Sequence, residues 1–287
     1  MMLLKVIASS CISLQELSIS NSAEGPIPLA FFLAAFSNAG HWNTRGQGLL
    51  TLKLTDYFAY GYRFTTFPTQ LTTLDINIIS LDTEGIVTRD LNHFLTRLPN
   101  LESLSLQGDC DSSILWGLYG TNRQLRQLYL GDGVMFSTNA RNTANDWEGF
   151  AKLLMSLDQL VDLEFHGNAN ADDMDKVLQA FLRKPVVRCH CPKAKVGYKG
   201  FYYLMKHLSE KDCTLDSFHL RFEMCTQDQV DSLMDALSEN FEEPKVRIET
   251  GEGAKALTTT IDSDGPPHEQ SFLTELSILV DNLFEKW

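Results

Sequence analysis

Apolar residues recur along this 287-residue chain in two alternating rhythms. The first is a short phrase, L-x-x-L-x-L, clearest in residues 98–108, where Leu101, Leu104 and Leu106 alternate with polar neighbours. It returns at residues 14–19, 49–54, 71–76, 125–130, 160–165 and 215–220. A period of two predicts a strand with its leucines on one face and the intervening residues on the other. With Leu17, Leu52, Leu74, Leu104, Leu128, Leu163, Val187, Phe218 and Val246 as equivalent positions, the step averages about 29 residues, near the top of the roughly 20–29 that a strand–helix repeat takes.

The second rhythm lies between the phrases and has the period of a helix. Leu29, Phe32, Leu33 and Phe36 fall on one helical face, with Pro26 and Pro28 at its start. Leu91, Phe94, Leu95 and Leu98 do the same before Pro99. So do Trp147, Phe150, Leu154 and Leu157, then Met174, Val177, Leu178, Phe181 and Leu182, then Phe201, Leu204, Met205 and Leu208. Thr226 and Gln229 form a T-x-x-Q capping box ahead of Val230, Leu233, Met234, Leu237 and Phe241. Strand and helix in alternation predict an α/β chain of parallel strands, curved because helices are wider than strands.

Three stretches depart from this. Residues 57–67 carry Tyr57, Phe58, Tyr60, Tyr62, Phe64 and Phe67 without helical spacing. Residues 131–145 form a long polar loop, expected to project as an insertion. Residues 251–270 are rich in Gly, Pro, Ser, Thr and Asp and read as an exposed loop. It is followed by an amphipathic helix through Phe272, Leu276, Leu279 and Leu283 that would cap the array.

On the phrases just quoted, the chain resembles the leucine-rich-repeat family, and its long repeats resemble the ribonuclease-inhibitor-like and F-box-associated branch. The resemblance implies a curved solenoid of about nine irregular repeats over residues 1–250, with parallel strands on the concave face and helices on the convex face. Residues 251–287 supply the loop and capping helix. It further implies a non-enzymatic scaffold for a protein partner, with substrate recognition in an F-box-type ubiquitin ligase as one role, although no F-box segment is expected in the chain. Two alternatives stay open. One is a leucine-rich-repeat GTPase-activating protein, whose strands usually end on Asn; here Ser20, Thr55, Gln107 and His166 hold that place and only Asn77 fits. The other is an uncharacterised enzyme.

Charge and cysteine content narrow the partners. A net charge of −13 with no basic run argues against a nucleic-acid backbone as ligand. No stretch approaches the roughly 18 apolar residues of a membrane span. Six cysteines without a secretory leader predict free, mostly buried thiols in a reducing compartment, cytoplasm or nucleus. Cys189-His190-Cys191 is no zinc site, because strand geometry sends the two thiols to one face and the imidazole to the other. Asn168–Asp173 resembles a calcium loop but lacks its Gly and bidentate Glu, so helix capping is expected there. No phosphate loop, nucleophile elbow or H-E-x-x-H is present, and no cofactor is expected.

The candidate binding residues stand on the outward strand positions. Ser18, Lys53, Asp75, Ser105 and Tyr129 occupy the first five, and Glu164, Arg188, His219 and Arg247 the last four, flanked by His166, His190 and Arg221. Glu164, Arg188, His219 and Arg247 are expected to be lateral neighbours, with His219 between two arginines. Tyr57, Tyr60 and Tyr62 are the alternative partner-binding residues, since aromatics dominate interface hot spots, while a run of six without helical spacing more often packs the core of a non-helical convex side.

Overall fold

The computed structural model describes residues 14–20, 49–57, 68–78, 86–108, 110–136, 146–184, 186–209, 214–222, 229, 231–233, 235–236 and 245–250. The helices expected at residues 29–36 and 272–284, and the aromatic run beyond Tyr57, lie outside them. The chain packs as two compact units, Met1–Leu160 and Val161–Trp287.

In the first unit the leucine phrases become parallel strands β1 (Glu16–Ser20), β2 (Thr51–Tyr57), β3 (Thr73–Ile78), β4 (Ser103–Gly108) and β5 (Gln127–Leu130), paired in that order. Leu17, Leu52, Leu74, Leu104 and Leu128 sit opposite one another in register, as the repeat phase predicts. From β2 to β5 the inward leucines and isoleucines are almost wholly buried, while Ser105 and Tyr129 are half-buried. The first leucines of three phrases, at 71, 101 and 125, are fully buried just before their strands.

One backbone contact recurs at the same place in four successive phrases of this unit. The carbonyl of the residue after the first leucine accepts two successive N–H groups from the next phrase. Gln15 O takes Leu50 and Thr51, and Leu50 O takes Thr72 and Thr73. Thr72 O takes Glu102 and Ser103, and Glu102 O takes Arg126 and Gln127, all at 2.7–3.0 Å. Both lone pairs of each carbonyl are thereby used, and no donor is stranded where the chain enters the sheet.

The return segments differ in length. Helix α1 (Ile86–Leu95) and helix α2 (Asp146–Ser156) follow the helical periods, burying Leu91, Phe94 and Leu95, and Trp147, Phe150 and Leu154. Between β4 and β5 the link winds instead into a 3₁₀-helix, Ser112–Leu118, capped by Asp111 accepting from Ser113 N at 2.8 Å. Gly117 lets that turn lie on α1, since a Cβ there would come within 2.3 Å of the Asn92 carbonyl oxygen. Asn122 is buried behind it; its Nδ2 donates to the Leu98 carbonyl at 2.9 Å.

The loop expected to project at residues 131–145 is anchored at its start. Val134–Met135 pairs in parallel with Cys110–Asp111, and Phe136 stacks on Trp147 with ring centroids 4.1 Å apart. Polar composition hid the two apolar residues, Val134 and Phe136, that tie it down.

In the second unit β6 (Asp162–Phe165), β7 (Val186–Val196), β8 (Thr214–Phe222) and β9 (Lys245–Thr250) pair in parallel in that order. Helix α3 (Ala171–Phe181) joins β6 to β7, and helix α4 (Tyr198–Ser209) joins β7 to β8. The resemblance of residues 168–173 to a calcium loop resolves as capping: Asn170 Oδ1 accepts from Asp173 N at 2.9 Å, and Asp172 and Asp173 sit in the first turn, where the helix dipole favours them. Asp175 of α3 turns its buried carboxylate onto the start of α4, accepting from Gly197 N at 2.8 Å and from the backbone of Lys199 and Gly200. Burial raises its pKa above the ordinary carboxylate value, and these backbone donors pull it partly back. Gly197 and Gly200 leave room for it, since a Cβ on either would come within 2.8 or 2.5 Å of a carboxylate oxygen.

Candidate binding face

Strands β6, β7 and β8 bury alternate residues: Leu163 and Phe165 on β6, Val187, Cys189 and Cys191 on β7, Leu220 and Phe222 on β8. The residues between them form the open face. Register sets which of these meet. Glu164 lies opposite His190, His190 opposite His219, and His219 opposite Arg247. A second row runs Asp162, Arg188, Ser217, Lys245.

This corrects the expected row. Arg188 is not the lateral neighbour of Glu164 and His219; His190 is, and Arg188 lies one row below. The frame on β7 is shifted by two residues, because Cys189, not Val187, pairs with Leu163 and Phe218. Arg188 instead faces Asp162, Nη1 to Oδ2 at 3.8 Å. His219 consequently stands between His190 and Arg247.

Further along, β7 breaks register. Leu220 pairs with Cys191, but the next residue, Arg221, pairs with Lys195. Pro192 has no N–H for the ladder, so the strand bulges there. Lys195 N donates to the Ala169 carbonyl at 2.9 Å as the strand rejoins. The bulge brings Lys195 beside Arg221 on the open face and leaves Lys193 exposed. Sequence reasoning missed Asp162 and Lys195; the proline inside an alternating run was the signal for the second.

The remaining residues are placed as follows. His166 follows β6, its Nε2 2.6 Å from Glu164 Oε1. An ionised carboxylate only accepts, so Nε2 donates. Glu164, His166, His190, His219 and Arg221 are half-buried and Arg188 is exposed; Arg247 is placed by strand register alone. Tyr57 ends β2, while Tyr60 and Tyr62 lie outside the described residues. In the first unit the outward row runs Ser18, Lys53, Asp75, Ser105, Tyr129, as expected, with Lys53 Nζ 3.1 Å from Glu16.

Beneath the charged face, Cys189 and Cys191 point inward, their sulfurs 3.8 Å apart and almost wholly buried, with His190 on the opposite side. Cys110, Cys189 and Cys191 are free thiols. The hydrogen bond with Cys189 and, after it, burial push the Cys191 thiol well above its ordinary pKa. Among the described residues no three His, Cys, Asp or Glu side chains group to hold a metal ion, and no helix is long and apolar enough to cross a membrane. No protein-family model matches the chain, and no curated protein matches it.

Proposed function

We propose that the chain is a non-enzymatic, leucine-rich-repeat-type recognition module that binds a protein partner on the open face of its strands. In this reading the strands line the concave side of a curved solenoid, since strands stack about 4.8 Å apart while helices need 8–10 Å. The repeated carbonyl contact of the first unit supports stacking of like turns. The observation that carries the binding assignment is the in-register row Glu164, His190, His219 and Arg247, ionisable residues aligned across four strands. Charges arranged so select a partner and speed its approach more than they add affinity. The role that the F-box resemblance points to is substrate recognition in ubiquitin ligation, in the cytoplasm or nucleus.

Site-specific photo-cross-linking tests this. A benzoylphenylalanine at position 190, on the open face, should cross-link a protein in cells of the source, whereas one at the exposed helical position 202 should not. Cross-linking from 202 alone would move the binding surface off the strands.

A further inference from the structure

We infer that the open face of the second unit takes an acidic segment of extended peptide, with Asp or Glu at every second residue. This rests on the proposed recognition role and adds the chemistry of the partner. The chain as a whole carries a net charge of −13, yet β7 holds Arg188, Lys193, Lys195 and His190 and no acidic residue at all. Lys195 pairs laterally with Arg221, and His190 with His219, so the basic positions continue onto β8. Acidic residues flank this area on both sides. Asp162 faces Arg188 at 3.8 Å, and Glu164 holds His166 at 2.6 Å. These two bound the basic area on its β6 side, and Glu249, level with Arg221 on β9, bounds it on the other; a ligand carboxylate is repelled at both margins, which sets the peptide over β7 and β8.

Spacing selects an extended ligand. Arg188 and His190 are two residues apart on one face of a strand, about 6.6 Å at the usual rise. Side chains at i and i+2 of an extended peptide have the same separation and the same facing. A peptide lying along β7 and β8 therefore offers its carboxylates in step with Arg188 and His190 and, beyond the Pro192 bulge, with Lys195 and Arg221. Arginine supplies forked donors that match a carboxylate in two bonds, so the arginine rows fix the register.

The test uses the purified full chain and fluorescein-labelled decapeptides read by anisotropy. A peptide alternating Glu and Thr should bind, and raising NaCl from about 50 to 300 mM should weaken it, as screening of exposed charges requires. The same peptide with Gln for Glu should bind at least about tenfold more weakly, the factor that loss of a single charge-assisted contact carries. The R188E/K195E/R221E variant should lose the acidic peptide, while R188K/R221K keeps part of it. If the reversal variant does not fold by circular dichroism, R188Q/R221Q takes its place with the same expected direction. Equal binding of the Gln peptide, or tighter binding of a ten-residue oligothymidylate, would overturn the inference. Should the cross-link from position 190 fall on a neutral or basic segment, the acidic ligand is wrong and the recognition role stands. Absence of any cross-link from 190 would remove the recognition role itself.

Discussion

Asp175 offers the sharpest test of how the second unit is held together. Its carboxylate, carried on α3, accepts from the backbone of Gly197, Lys199 and Gly200 at the start of α4. It thus serves as a cap supplied from a different helix. Replacing it by Ala strands those donors in a buried site. Loss of an N-cap costs about 0.5–2 kcal/mol, and an unsatisfied buried donor about 1–3 kcal/mol. These describe overlapping losses, so the expected destabilisation is about 2 kcal/mol in urea unfolding at pH 7. Asp175→Asn keeps one acceptor oxygen and should cost less. The pH dependence has a definite sign. The folded pKa is raised above 3.8, so the folded state binds this proton more tightly than the unfolded chain. The stability from that proton is fully present below the unfolded value and is lost as pH rises through the raised folded value. Wild type should therefore lose ground to Asp175→Asn as pH climbs from about 4 to 7. An Ala variant as stable as wild type would refute the cap, and a gap between wild type and Asn that moves the opposite way would refute the dominance of burial over the backbone donors.

Other outcomes follow from the packing. Leu104→Ala should cost about 2–5 kcal/mol through lost burial and a cavity, whereas Ser105→Ala should be near neutral; equal effects in chemical denaturation would put the strand out of phase. Asn122→Ala leaves the Leu98 carbonyl without its side-chain donor and should cost about 1–3 kcal/mol, read as a lower urea midpoint. Iodoacetamide should leave Cys110, Cys189 and Cys191 unmodified in the native protein and label all three in urea, with unchanged melting on adding reductant; mass spectrometry of native-state digests checks this.

The fold was legible wherever a leucine phrase stood beside a long helical period. Leu104 and Phe94 declare their faces because leucine and phenylalanine are seldom exposed in such spacing. It was not legible where an inward run has no unique frame. On β7, Val187, Cys189 and Cys191 all point inward, and nothing in the pattern says which one is level with Leu163. Hydrogen bonding across the sheet decides that, and it moved Arg188 out of the expected row. The 3₁₀-helix at Ser112–Leu118 escaped notice because seven residues give too few repeats of a period to register. The four strands of the expected row do lie side by side, and one of its lateral partners was wrong.

The shared carbonyl that joins each leucine phrase to the next belongs to Gln15, Leu50, Thr72 and Glu102 in turn. Four unrelated side chains make the same joint, because the joint is main chain. Mutation at those positions leaves the connection intact, and so does mutation at outward positions such as Ser105. The sheet thus holds its architecture with a few leucines and its own backbone, and its outward positions are left open to drift without renegotiating the fold.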